Sequence, residues 1–240
     1  MTPAKGNNHN EGTIKMKKTL MQRLCGAAMI AGAAVGFIAN ANAQGDQQVL
    51  VNQSATTLSN FMRDPEMKWL QQNIGRAKAV LISPEIVKAG FIVGGSGGRA
   101  VLVARNGGKW VGPAFYTLAT ASVGFQAGIA ASEMVTLVMT DKGMNSLMAS
   151  SFKFGGDASV AAGPVGAGAK SDITADLIAF SRSKGVYGGL NLDGTVVSSN
   201  SDWDKAYYGK AVLPPDILMK GAASNKGADK LLAEVARVAK

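Results

Sequence analysis

The sequence predicts an α+β fold, a single domain with a largely antiparallel multi-stranded sheet or sandwich flanked by N-terminal and C-terminal helices. Three observations predict it. Helical spacing of apolar residues is confined to 47–75 and 202–240, β-prone runs fill the middle, and Gly-rich segments separate those runs without regular intervening helices. The chain of 240 residues is 47% hydrophobic, which is enough for one full core, and no long linker divides it.

The first structured segment, residues 47–75, is predicted to form two helices or one broken helix. Its first half places apolar residues at roughly helical spacing: Val49, Leu50, Ala55, Leu58, Phe61 and Met62. Asp64-Pro65 then favours a turn or a helix restart, after which Trp69, Leu70 and Ile74 continue the pattern.

The middle of the chain is predicted to form the sheet. The β-prone runs there are 79–82, 90–93, 100–104, 113–131, 133–140, 160–165, 177–180 and 186–197. Ser83-Pro84-Glu85 is interpreted as a turn or helix cap, and Gly94–Gly98 and Asn106-Gly107-Gly108 as turns of a meander. Asp141 is expected to cap a short helix through Met148.

The last segment, Asp202–Lys240, returns to helical spacing, punctuated by Pro214-Pro215, Gly221 and Gly227. Asp202 is expected to cap the helix that carries Trp203 and Tyr207.

Residues 1–43 have the features of an export signal. A basic region from Met16-Lys17-Lys18 to Arg23 precedes the apolar run 24–39, and Ala41-Asn42-Ala43 is a small-x-small cleavage site. We therefore expect cleavage after residue 43 and a periplasmic or secreted protein, consisting of residues 44–240.

Export changes both the charge and the available chemistry. The whole chain carries 25 basic and 16 acidic residues, of which five basic residues and one acidic residue lie in 1–43. The mature chain therefore has a net charge of +5. His9 and Cys25 leave with the signal. Without His or Cys, the mature chain has no Ser-His-Asp or Cys-His triad, no His or Cys metal site and no disulfide. We therefore expect no catalytic residues, no metal and no cofactor.

Two Gly-rich motifs resemble nucleotide-binding loops. Gly95-Ser-Gly97-Gly-Arg-Ala100 fits G-x-G-x-x-A, but a strand-like run follows it instead of a helix. The segment 163–171 resembles G-x-x-x-x-G-K-S, but Ala169 is inserted before the Lys. Neither motif predicts a nucleotide site.

The candidate binding residues are basic. Arg182 and Lys184 are two apart in a predicted strand and therefore share one face, where they either bind a phosphate or form a solvated edge. Four further cations lie near the first hairpins as a second candidate patch: Lys88, Arg99, Arg105 and Lys109.

Seven blocks, in order, resemble the SYLF domain family, also called the Ysc-type actin-binding domain family, in its bacterial exported branch. They are KAGFIVGGSGG (88–98), WVGPAFY (110–116), SVGFQ (122–126), VMTDKG (138–143), DASVAAGPVG (157–166), FSRSKG (180–185) and YYG (207–209). The resemblance covers residues 50–235 and implies lipid binding without enzymatic activity. It implies no nucleic-acid partner, and actin is not expected for an exported member.

The resulting hypothesis is an exported, non-enzymatic domain that binds anionic phospholipid or another anionic membrane surface. Arg182 and Lys184 are the first expected head-group contacts, while a groove or the apolar face of 47–62 accepts acyl chain. The alternative is a structural or protein-interaction domain of the cell envelope that self-associates or holds a protein partner.

Overall fold

The chain folds into helices at both ends and a sheet between them. The computed structural model describes residues 45–90, 93–123, 128–165, 174–185 and 194–240. Its helices are α1 (45–61), α2 (Lys68–Asn73), α3 (Asp141–Met148), α4 (Ser201–Tyr208), α5 (Pro214–Leu218) and α6 (Asp229–Val238). Short 3-10 turns occupy Pro65–Met67, Ile74–Arg76 and Lys226–Ala228.

The sheet is antiparallel except at one edge. Its strands are β1 (Ala79–Gly90), β2 (Val93–Asn106), β3 (Lys109–Val123), β4 (Gly128–Val138), β5 (Ser151–Lys153), β6 (Val160–Ala162), β7 (Leu177–Gly185) and β8 (Val196–Ser199). Their spatial order is β5-β8-β3-β2-β1-β4-β7-β6, and among these described strands only β6 pairs in parallel, with β7. The central order β3-β2-β1-β4 is that of a Greek key.

The predicted α+β class and the order of elements are confirmed, with two corrections inside the sheet. Ser83-Pro84-Glu85 is not a turn, because β1 continues through a register shift between Ile82 and Glu85. Gly94–Gly98 is not a turn either, since it pairs with β1 and β3 as part of β2. The predicted turn at Asn106-Gly107-Gly108 is confirmed. Of the predicted strand 186–197, residues 186–193 lie outside the described part of the chain.

Two predicted helix caps are also corrected. The N-cap of α3 is Thr140, whose Oγ1 accepts a hydrogen bond from the Gly143 N–H at 3.1 Å. The N-cap of α4 is Asn200, whose Oδ1 accepts from the Trp203 N–H at 3.2 Å. Asp141 and Asp202 instead lie in the first turns, where a carboxylate faces the positive end of the helix dipole.

The sheet is covered on both faces by separate apolar layers. Because side chains alternate along a strand, Val80 and Ile82 of β1 pack with α1 and α6, while Ala79 and Leu81 pack with α3 and α5. On the first side, which we call the helix face, the buried residues of α1 include Leu58 and Phe61. The first structured segment therefore uses its apolar side to close the core.

One edge of the sheet is fixed by a carboxylate. Asp176, just before β7, accepts hydrogen bonds from Thr140 Oγ1 at 2.5 Å, from Ser159 Oγ at 2.7 Å and from the Ser159 N–H at 2.9 Å. These hydrogen bonds lower the pKa of Asp176 to about 2, so it is ionised at neutral pH. Asp176 thereby joins the edge at β6 and β7 to the start of α3.

Candidate functional site

A groove follows α1 where the helix crosses the sheet. One part, of about 700 Å³, lies between α1 and the strands β1, β2 and β3. A second part, of about 760 Å³, continues past Gln53 and Glu85 toward β4. The two parts share those two residues, and each volume is within the range of small-molecule sites.

Toward the ends of the strands beyond Arg99, the helix face of the sheet is apolar, and part of this apolar surface also lines the groove. Strand register places eight small or aliphatic residues in two adjacent rows, which we call the shelf: Ala119, Gly97, Val87 and Ala131, then Ala121, Gly95, Ala89 and Ile129. Val87 is 42% exposed and Ile129 is 72% exposed. An exposed apolar surface across four strands is typical of an interaction site.

Arg99 lines the groove next to the first row of the shelf. It is exposed, and its guanidinium carbon lies 4.3 Å from the centre of the Trp203 ring, which orients the cation. Glu85 is its cross-strand neighbour, yet the two form none of the ion pairs found among the described residues. Next to them, Asn200 Nδ2 donates to Thr117 Oγ1 at 3.2 Å and closes the end of the groove.

Arg182, the first sequence-predicted contact, is held by carboxylates of the protein itself. Its Nη2 lies 2.5 Å from Glu133 Oε2, and its Nη1 lies 3.4 Å from Asp64 Oδ2. Thr57 Oγ1 donates to Glu133 Oε1 at 3.1 Å, and the guanidinium also lies 5.3 Å from the centre of the Phe61 ring. Arg182 thus connects β7, β4 and the end of α1.

We therefore expect Arg182→Ala to reduce the stability of the fold. The substitution leaves Glu133 and Asp64 half-buried without their cation, at a cost of about 2 kcal/mol. Urea unfolding measures the change. Arg182→Lys keeps the charge, so its free energy of unfolding should fall less than that of Arg182→Ala. If the free energy of unfolding of Arg182→Ala lies within about 0.5 kcal/mol of wild type, Arg182 does not have this stabilising role.

The other sequence-predicted residues do not converge on one point. Lys184 pairs through its backbone with Ala131 of the shelf, and its side chain lies outside the described part of the structure. Lys88 is half-buried and, by strand alternation, belongs to the face opposite Val87. Arg105 and Lys109 lie together at the other end of β2, beside the Gly107-Gly108 turn.

The sequence predicts that a groove or the apolar face of 47–62 accepts acyl chain. On that face Leu58 and Phe61 are buried against the sheet, whereas Val49 and Leu50 line the groove beside α1. Sequence reasoning also missed Trp203 and Val87 as groove residues. In the sequence, the shelf is indicated by small residues spaced two apart, at Gly95 and Gly97 and at Ala119 and Ala121. Interpreting 94–98 as a turn prevented this pattern from being assigned to a strand face.

Within the described ranges, no group of His, Cys, Asp and Glu side chains could hold a metal ion. No helix there is long and apolar enough to cross a membrane.

The groove, the shelf and the oriented arginine define an α+β binding domain. The chain belongs to the Ysc84 family, whose model, described as "Las17-binding protein actin regulator", matches residues 119–238, half of the chain. This confirms the resemblance to the SYLF domain family. No solved structure matches the chain significantly.

Curated relatives are similar over part of the chain. The human SH3 domain-containing YSC84-like protein 1 is 28% identical over 151 residues, covering 60% of this chain and 44% of the relative. Protein YSC84 of Saccharomyces cerevisiae is 29% identical over 165 residues, covering 65% and 35%. LAS seventeen-binding protein 3 of the same species is 32% identical over 142 residues, covering 56% and 31%. The chain therefore matches less than half the length of each of these relatives.

Proposed function

We propose that this chain is an exported, non-enzymatic domain that binds anionic phospholipid, with Arg99 engaging the head-group phosphate. A single observation carries the proposal: the structure has an exposed, oriented cation in the wall of a groove that continues onto an exposed apolar surface. A phospholipid has the same arrangement, a phosphate joined directly to acyl chains.

Arg99 is suited to a phosphate because its position is set before the ligand arrives. Stacking on Trp203 limits the freedom of the guanidinium, so less side-chain entropy is lost on binding. The guanidinium can donate two parallel hydrogen bonds to a phosphate. Among the described residues, no carboxylate within ion-pair distance competes for it.

The acyl chains would lie along the groove and the shelf. Val49, Leu50 and Trp203 supply apolar wall beside Arg99, and Val87 belongs both to the groove and to the first row of the shelf. Burying the exposed parts of Val87 and Ile129 against lipid is favourable at about 25 cal/mol per Å² of apolar surface. Lys184, paired with Ala131 beside the shelf, remains a candidate second head-group contact.

Export belongs to the same proposal. The basic region, apolar run and cleavage site within 1–43 support removal of that segment, after which an anionic envelope lipid is an available ligand. Intact-mass measurement of the protein purified from the envelope fraction tests this step. We expect the mass of residues 44–240. The mass of the full chain, found in a cytoplasmic fraction, would contradict export.

A second candidate function is binding of a protein partner. The observation that favours it is the description of the family as Las17-binding and the name of LAS seventeen-binding protein 3. The groove and shelf would then receive an apolar protein surface. Salt distinguishes the two functions, because attraction to anionic head groups weakens at high ionic strength and apolar contact does not.

Arg99→Glu should weaken binding to anionic vesicles about thirtyfold. Each cation near an anionic surface contributes about 1 kcal/mol, and reversing the charge removes one attraction and adds one repulsion. Co-sedimentation with vesicles of anionic lipid at about 0.15 M salt measures the change.

Lys153→Glu is the matched control, since Lys153 is an exposed cation on the edge strand β5. It should bind within about twofold of wild type. Equal binding by Arg99→Glu and wild type would exclude Arg99 as the head-group contact. Failure of the wild-type protein to bind any vesicle would overturn the lipid function itself.

A further inference from the structure

We infer that the domain has a second surface for anionic membrane, at the opposite end of the sheet, and that it bridges two bilayers. The inference rests on the proposed function, because one of the two bilayers is the one engaged at Arg99 and the shelf. The second surface, which we call the basic end, comprises five exposed cations: Arg76, Lys78, Arg105, Lys109 and Lys220.

These cations come from separate parts of the chain and are brought together by specific contacts. Arg105 Nη2 donates to the Gly75 carbonyl at 3.1 Å, which places it beside Arg76. The Arg105 N–H donates to the Lys78 carbonyl at 2.8 Å. Lys109 directly precedes Trp110, and the guanidinium carbon of Arg105 lies 5.0 Å from the centre of the Trp110 ring.

Lys220 joins the group through the β2–β3 turn. Asn106, the cross-strand partner of Lys109, donates from Nδ2 to the Met219 carbonyl at 2.7 Å. The end of α5 is thereby held against the turn, and Lys220 follows it directly. The basic end is therefore a fixed part of the fold and does not depend on the positions of loops outside the described ranges.

The basic end has more cations than local carboxylates. Lys78 pairs with Asp141 at 2.9 Å and Lys220 pairs with Asp216 at 2.9 Å. Arg76, Arg105 and Lys109 form no ion pair with any carboxylate of the described residues. An excess of exposed cations around a half-buried Trp110 favours an anionic lipid surface, where tryptophan packs at the interface.

The separation of the two surfaces makes bridging feasible. The shelf includes Gly95 near the start of β2, whereas the Gly107-Gly108 turn follows its end. The eleven residue steps of extended strand from Gly95 to Asn106 span about 36 Å. The surfaces therefore lie at opposite ends of the sheet, and a bilayer against one leaves the other free for a second bilayer.

The test measures vesicle clustering separately from vesicle binding. Anionic vesicles labelled with a donor dye are mixed with vesicles labelled with an acceptor dye, and energy transfer is followed together with dynamic light scattering. Arg76→Glu combined with Lys109→Glu should reduce clustering at least about tenfold, because the basic end loses two of its attractions. Co-sedimentation of this double variant should stay within about threefold of wild type.

Arg76 and Lys109 are chosen because both are exposed and neither makes a buried contact, whereas Arg105 holds the main chain at Gly75 and Ala239. Lys153→Glu with Lys205→Glu is the matched control, which changes the charge equally at two exposed sites elsewhere and should cluster vesicles like wild type. Thermal unfolding verifies that both double variants remain folded.

The outcomes separate this inference from the proposed function. Wild-type protein that binds vesicles without clustering them overturns the bridge and leaves lipid binding intact. Clustering that persists in Arg76→Glu/Lys109→Glu overturns the bridge as well, and sedimentation equilibrium would then show whether a dimer joins the vesicles instead. Loss of clustering with retained binding in that variant alone is the expected result.

Discussion

Replacing Asp204 with asparagine is expected to stabilise the fold at pH 8 by up to about 4 kcal/mol. Asp204 of α4 is fully buried, and its Oδ1 accepts one hydrogen bond, from the Phe115 N–H at 3.0 Å. Its Oδ2 has no hydrogen-bond partner in the described structure. Burial raises the pKa of Asp204 to about 7, although the Phe115 N–H opposes the shift. Three pKa units correspond to about 4 kcal/mol.

The direction of the pH dependence of stability follows from proton binding by Asp204. Below about pH 4, Asp204 is protonated in both the folded and unfolded chain, so its stabilising contribution is fully present. Between about pH 4 and the folded pKa of about 7, only the folded chain holds the proton, and stability falls as pH rises. The amide introduced by Asp204→Asn cannot ionise but keeps an oxygen to accept from Phe115. The advantage of the variant should therefore grow from pH 5 to pH 8.

Urea unfolding of both proteins at pH 5 and pH 8 measures this change. Asp202→Asn serves as the control, because Asp202 lies on the same helix and is exposed. Its stability should follow that of wild type at both pH values. A constant difference between Asp204→Asn and wild type from pH 5 to pH 8 would show that the buried carboxyl does not titrate in this range.

The second large effect is expected for Gly98→Ala, which should lower the free energy of unfolding by about 3 kcal/mol. The irregularity in β1 brings the Glu85 carbonyl oxygen close to β2, so a Cβ at position 98 would stand 2.4 Å from it. The same Cβ would lie 3.1 Å from Ile86 Cγ1. A backbone oxygen cannot rotate away as a side chain can, so the two strands must separate locally.

The neighbouring glycine provides the control. At Gly97, the nearest atom to an added Cβ is the Leu118 carbonyl oxygen at 3.6 Å, an ordinary contact. Gly97→Ala should therefore change the free energy of unfolding by less than about 1 kcal/mol. Equal losses in the two variants would mean that glycine is needed along this part of β2 for a reason other than the approach of Glu85.

These two glycines also show how far sequence reasoning reached. Periodicity correctly predicted the terminal helices and a central antiparallel sheet, because apolar spacing reports directly which face is buried. It failed at 83–85 and 94–98, where Pro and Gly are typical of turns. Here Gly98 serves a close approach between strands instead, and that requirement arises only once β1 is placed beside β2.

The candidate site was predictable only in part. Arg99 was identified as a cation near the first hairpins, and the side-chain alternation of β2 places it on the helix face. The stacking on Trp203, which is 104 positions along the chain, depends on tertiary structure alone. The same holds for Arg182, whose partners Glu133 and Asp64 are 49 and 118 residues away in sequence.

The Greek-key arrangement of the central strands has a consequence for the order of folding. β1, β2 and β3 are joined by short connections, and β4 completes this unit within residues 79–138. β7 and β8 can join only after much longer loops have closed, which is entropically slower. We therefore expect the folding nucleus to contain β1, β2 and β3, which form the groove floor, and the outer strands β5 and β6 to attach after that floor is assembled.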